Sequence, residues 1–176
     1  MSHLLALLSL LWLAGPPVPK GVPPPPGGSL DAELTQTALD RARAEAGTLL
    51  EQMEASGQPA AQKAEIRRRF AGLRIAIYTT PKGWEETVAF YEGPAMRLAF
   101  LKGERDILGD LREAARAAGF AVPPDAEKAW AGKVGRTARW TKDDDTLQVV
   151  VEDHLIDPRD GKVTPMTVVL VTSLGS

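Results

Sequence analysis

Only two histidines, His3 and His154, occur in this chain, and it has no cysteine. Thiol catalysis, disulfide frameworks and lipid attachment through cysteine are thereby excluded. A serine hydrolase needs a nucleophile, a base and an orienting carboxylate that converge in space. The serines downstream of the leader, Ser29, Ser56, Ser173 and Ser176, sit at predicted element ends or in a loop, and no G-x-S-x-G turn occurs. A lone His154 cannot supply the nitrogen-sulfur shell that zinc prefers.

Carboxylates are more numerous. Asp143, Asp144 and Asp145, with Asp153, Asp157 and Asp160 in the next turn, offer oxygens for calcium but lack the spacing of a calcium loop. They read as turn formers that keep the surface soluble. Glycoside cleavage asks for two acids on opposed walls of a cleft, about 5 to 9.5 Å apart. Glu85, Glu86, Glu92, Glu152 and Asp153 are candidates by type, and nothing in their spacing selects a pair. Gly132-Lys133-Val134-Gly135 lacks the terminal Lys-Ser/Thr of a phosphate loop and precedes a strand instead of a helix. No catalytic residue, metal ligand or cofactor is assigned.

Aromatic residues give the remaining candidate site. Trp84, Tyr91, Trp130 and Trp140 could wall a concave pocket for an apolar ligand, or simply fill the gap between helices and sheet. The second use is the commoner one for aromatics at helical spacing. The formal net charge of −2 supplies no basic face for nucleic acid.

An apolar run from Leu4 to Ala14 opens the chain, followed by PPVPKGVPPPPGGS. The run is shorter than the roughly 20 residues a membrane-spanning helix needs and suits the apolar centre of a secretory signal, so no stable transmembrane helix is expected. Residues 1–15 therefore read as a signal peptide, despite the lack of a Lys or Arg before the run. Residues 16–28 read as a Pro/Gly-rich linker, since the consecutive prolines Pro23 to Pro26 fix φ and remove donors. Residues 29–176 read as one α+β domain whose N-terminal helical segment covers 29–71.

Within that domain, Ser29 or Asp31 caps a helix to about Ala55, with Leu34, Ala38, Ala42, Ala46, Leu49, Leu50 and Met53 as its apolar stripe. A second helix covers Ala60 to Ala71, where the adjacent Arg67, Arg68 and Arg69 point in different directions and mark a solvated end. Leu73 to Tyr78 alternates as a strand. Thr79-Thr80-Pro81 then offers a cap for a helix through Tyr91, stopped by Gly93-Pro94. A strand from Met96 to Gly103, a helix from Glu104 to Ala118 and a short turn at Pro123-Pro124-Asp125 follow. Three antiparallel strands close the chain, over 136–141, 147–155 and 163–174, with Pro165 at an edge or bulge.

The expected architecture is helices first, then a mainly antiparallel four- to five-stranded sheet with helices mostly on one face and a C-terminal three-strand meander. The strand after Met96 is placed beside the first by a right-handed crossover. The functional expectation is an exported, periplasmic or secreted, non-catalytic module. It binds an envelope protein, for instance by strand addition at the final strand, or a small apolar ligand. A carboxylate-based hydrolase of envelope polymers is the alternative.

Overall fold

The computed structural model describes residues 18–93, 99–141, 146–157 and 160–174. The leader assigned to 1–15, the start of the strand at Met96 and the acidic turn 142–145 lie outside these residues, wholly or in part. The described chain runs β1 (Ser29–Leu30), α1 (Ala32–Ala55), α2 (Ala60–Ala71), β2 (Arg74–Thr80), α3 (Trp84–Glu92), β3 (Ala99–Asp106), α4 (Ile107–Ala118), α5 (Pro124–Trp130), β4 (Val134–Thr141), β5 (Leu147–Glu152), β6 (Leu155–Ile156), β7 (Val163–Thr164) and β8 (Thr167–Ser173). Every strand pairing is antiparallel: β1-β2-β8-β5-β4-β3 form one sheet, and β6-β7 form a small second one. The α+β class, the N-terminal helices and the closing meander of β4, β5 and β8 are as the sequence indicates.

Strand alternation sorts the sheet into two faces. On the first, Ala76, Tyr78, Trp140, Val149, Val151, Val169 and Val171 form one cluster with Val88 and Tyr91 of α3. On the second, Ile75, Ile77 and Leu170 meet Leu39, Ala38 and Ala42 of α1 and Phe70 of α2. Because the central strands carry apolar residues in both directions, the sheet needs cover on both sides. The α1–α2 pair and α4 cover the second face, and α3 is the one helix on the first.

The rest of the first face is covered by residues 18–28, part of the Pro/Gly-rich segment expected over 16–28 as a linker. Pro19, Val22 and Pro25 are buried, and Val22 belongs to the core cluster, with Val18 packed against it. The Tyr91 hydroxyl donates to the Pro23 carbonyl at 3.0 Å, and the Thr80 hydroxyl to that of Pro26 at 2.8 Å. Proline forms no ladder, yet a rigid extended segment can lie on an apolar surface at low entropic loss. The missing donors keep it out of a ladder, while its apolar rings suit it to this surface.

Other boundaries moved for local reasons. Asp31 caps α1 by accepting from the Leu34 amide at 2.9 Å, and Ser29–Leu30 pairs with Thr79 and Tyr78. The inward face of α1 is set by Leu34, Thr35, Leu39 and Ala46. Thr35 accepts the Ile77 amide at 3.0 Å, so a buried hydroxyl extends the β2 ladder. Leu49 is 41% exposed, and α2 has no fully buried residue, its contact with the sheet cluster being the half-buried Phe70. The arginines of α2 are taken up by acids: Arg68 and Arg69 by Glu65, and Arg67 by Glu54 of α1.

Thr80 stays in β2 and does not cap α3, whose N-cap is Gly83. Strand β3 runs through Glu104 and Arg105 to Asp106, where helix was expected, since those residues pair with Arg136, Gly135 and Val134. Cross-strand pairing overrides helix propensity there, and Asp106 then caps α4 through the Leu108 amide. Three strands separate β3 from β2, so no crossover joins them side by side. The strand expected over 147–155 breaks at Asp153 and His154, and the one over 163–174 breaks at Pro165 and Met166. The final strand β8 is central, between β2 and β5, and offers no edge to a partner.

Trp140 is 1% exposed at the centre of the first face. Replacing it by alanine should lower unfolding free energy by about 3–5 kcal/mol, measured by urea denaturation. Removing residues 1–26 should also lower the melting temperature, because Tyr78 and Tyr91 lose their cover; an unchanged melting curve would show that the segment contributes nothing.

Candidate binding cleft

The bend that ends β5 at Glu152 turns Asp153 and His154 out of the sheet before β6 begins. On the second face this leaves a cleft of about 210 Å³ lined by Ile77, Val168, Leu170, Leu155, Ile156, Arg105, Asp110, Glu152 and His154. Its walls are aliphatic and its floor is ionic. Arg105 of β3 reaches across β4, donating from Nη1 to Glu152 Oε1 at 3.3 Å and from Nη2 to Asp110 Oδ1 at 2.6 Å. In the β3–β4 register Gly135 of β4 stands opposite Arg105.

The missing side chain of Gly135 makes room for His154. A Cβ built there would come within 2.5 Å of the His154 ring nitrogen Nδ1. The imidazole thus packs against bare strand backbone and is 4% exposed. Its Nδ1 lies 3.1 Å from Asp153 Oδ1. Asp153 also accepts the Arg136 amide at 3.0 Å and Arg136 Nε at 2.8 Å.

Arg136 itself projects to the first face, where it pairs with Glu85 and stacks 4.8 Å from the Trp84 ring centroid. Asp153 therefore ties the cleft side of the bend to the α3 side. Burial works against ionisation of Asp153, yet its hydrogen bonds from Arg136 and His154 hold its carboxyl below the ordinary value. Burial pushes the Glu152 carboxyl up, with Arg105 pulling partly against it.

Of the four aromatics expected as a ligand wall, Trp84, Tyr91 and Trp140 come together within the core and Trp130 stands apart. Tyr91 and Trp140 are fully buried with ring centroids 5.6 Å apart, and Phe90 meets Tyr91 edge-on at 4.9 Å. Trp84 packs against this cluster and donates from Nε1 to the Val151 carbonyl at 3.3 Å. Trp130 lies at the end of α5, with the Lys133 ammonium 4.7 Å over its ring. None of the four lines the cleft.

Of the cleft's three charged partners, Glu152 is a candidate acid by sequence type, whereas Arg105 and Asp110 gain their place only through the fold. The alternation of β3 puts Arg105 on the same face as Gly103, whereas Asp110 belongs to α4. The helix-forming composition of Glu104 and Arg105 masks that alternation, which the pairing with Arg136 and Gly135 enforces. Among the described residues no group of three or more His, Asp or Glu is placed to hold a metal ion, and no helix is long and apolar enough to cross a membrane. Comparison with known protein families, with characterised proteins and with solved structures finds no match.

Two outcomes follow from this geometry. Gly135→Ala should destabilise the fold by about 1–3 kcal/mol through overpacking against His154, read by denaturant unfolding and by shifts of the His154 ring resonances in NMR. The raised folded-state pKa of Glu152 means that the native state holds its proton more tightly than the unfolded chain. Its contribution to stability is therefore present at low pH and is lost as pH rises from its ordinary 4.5 through the raised value. Unfolding free energies of the parent and Glu152→Gln, measured across that window, should converge in acid and diverge in favour of the variant above it.

Proposed function

We propose that this chain is an exported, non-catalytic module that takes a small ligand into the cleft between the sheet, α4 and β6–β7. The observation that carries this reading is the Arg105 guanidinium shared by Asp110 and Glu152 beneath aliphatic walls. Partly desolvated ion pairs rarely stabilise a fold better than well-packed apolar residues. Keeping three charges at the base of a concave site is better explained by what they recognise. The cleft is smaller than the roughly 300–1,000 Å³ of drug-sized sites, so the ligand is of a few heavy atoms or enters by one end only. With two carboxylates to one guanidinium, the lining carries an excess negative charge. A ligand with an aliphatic body and a cationic end complements both parts.

The hydrolase alternative gains the convergence of two acids in one cleft. Its difficulty is that a single guanidinium holds both, where cleavage needs them free on opposite sides of a substrate. The binding reading is preferred on that ground.

Titration with hexylamine, hexanol and hexanoate, followed by backbone NMR shifts, tests the reading. Hexylamine should bind most tightly and perturb residues of β5, β6 and α4, and Glu152→Gln should weaken it about tenfold, or 1.4 kcal/mol. Preference for hexanoate, or shifts confined to other regions, would refute it. Export is tested by cell fractionation and mass spectrometry of the mature N-terminus. Because Pro19, Val22 and Pro25 are buried, the mature chain should begin at or before Val18. An intact cytosolic chain starting at Met1 would contradict export.

A further inference from the structure

The large sheet ends differently at its two edges. At one, the two-residue β1 pairs with β2, and the chain carries on into α1, whose start takes up Ile77: the Asp31 amide donates to its carbonyl at 2.8 Å and Thr35 accepts its amide. At the other, the eight residues of β3 are paired, among the described residues, with β4 alone. Such a strand turns alternate N–H and C=O groups away from its neighbour, ready for another strand unless side chains forbid it.

The side chains of β3 forbid most partners. Lys102 and Glu104 lie on the first face, opposite Ala138 and Arg136, while Gly103 between them lies on the second, opposite Thr137. All three are exposed. An acidic strand would meet Glu104 with like charge, and a basic one would do so at Lys102. Antiparallel pairing reverses the order of a strand, so the complement of Lys-Gly-Glu is another Lys-Gly-Glu.

Only one register satisfies both charges. A two-fold axis perpendicular to the sheet keeps equivalent faces level and sets one residue opposite its own counterpart. Centred on Lys102 it would oppose two ammonium groups, and centred on Glu104 two carboxylates; like charges directly opposite are destabilising. Centred on Gly103, it sets Lys102 opposite Glu104 of the second copy and Glu104 opposite Lys102. Lys102 bonds Glu92 at 2.6 Å, yet its side chain is 49% exposed and an ammonium has three donors, so a second carboxylate can be met. Arg105 keeps Asp110 and Glu152, and Asp106 keeps the cap of α4.

Gly103 has no internal reason to be glycine. A Cβ built on it would meet nothing nearer than Thr137 Cγ2 at 3.9 Å. Glycine inside a strand weakens it and marks a place where another backbone approaches closely.

We infer that the partner of this edge is a second copy of the chain: two β3 strands pair antiparallel about Gly103 and join the two six-stranded sheets into one. The β1 edge takes no part, so the assembly closes as a dimer and does not extend. It does not depend on what the cleft binds.

Sedimentation velocity of the protein over a range of concentrations should show a monomer–dimer equilibrium that added salt weakens. Lys102→Glu and Glu104→Lys should each weaken self-association at least about tenfold, with far-UV circular dichroism unchanged. An equimolar mixture of the two should dimerise again, because each supplies the charge that the other lacks. In this cysteine-free chain, Gly103→Cys should crosslink to its own counterpart under mild oxidation, since residues opposite each other in an antiparallel pair lie about 4.5–5.5 Å apart at Cα, within disulfide reach. Arg139→Cys, exposed on the neighbouring strand, should not. A monomer at every concentration, a dimer indifferent to both charge reversals, charge-reversed variants that stay apart on mixing, or Gly103→Cys crosslinking no faster than Arg139→Cys would each overturn the inference.

Discussion

A sheet with apolar residues on both faces of its central strands cannot stand with one side in water, and this constraint organises the molecule. In β2, β8 and β5, Val171, Val169, Val149 and Val151 point one way while Ile75, Ile77 and Leu170 point the other. Each set must be removed from solvent. The α1–α2 pair and α4 serve one face. On the other, α3 is only nine residues long, so the extended proline segment completes the cover. The buried Tyr91 links these two pieces, its ring against Trp140 and its hydroxyl on the Pro23 carbonyl. Burial pushes its phenol pKa up, as expected for a group that keeps its proton and donates it.

The candidate cleft arises where that cover is divided between two helices. The α1 helix packs over Ile75, Ile77 and Leu170, and α4 approaches from the β3 end, with β6–β7 folded in beside it. Between them the sheet is left partly open, and there Arg105, Asp110 and Glu152 collect. Gly135 permits the arrangement by giving room for the His154 ring. Asp153 then braces the bend from the opposite face through Arg136 and Trp84. Charge in the cleft and packing in the core are thus joined through one two-residue break in β5.

Much of the secondary structure was legible because it rests on local chemistry. Asp31 as a cap, Ser56-Gly57 as a stop, Gly119 as a left-handed terminus with φ of 77° and the alternation of β2 and β4 all express preferences of a few consecutive residues. The errors fell where distant pairing prevailed. Glu104 and Arg105 suit a helix but are held in β3 by Arg136 and Gly135. Leu49 continues the stripe of α1, yet it is exposed. Thr35, a polar residue on that helix, is fully buried because the Ile77 amide needs an acceptor.

What the sequence determined by itself was the α+β class, the order of most helices and strands, and the exclusion of thiol and histidine-rich chemistry, since these depend on composition and on periodicities within short windows. Tertiary structure alone decided that the proline stretch belongs to the core, that the last strand is central, and that Arg105, Asp110, Glu152 and His154 share a cleft. Those outcomes depend on which strands pair and which face each residue then occupies. Arg105 and Glu152 are 47 residues apart in the chain, and only the β3-β4-β5 register brings them within reach.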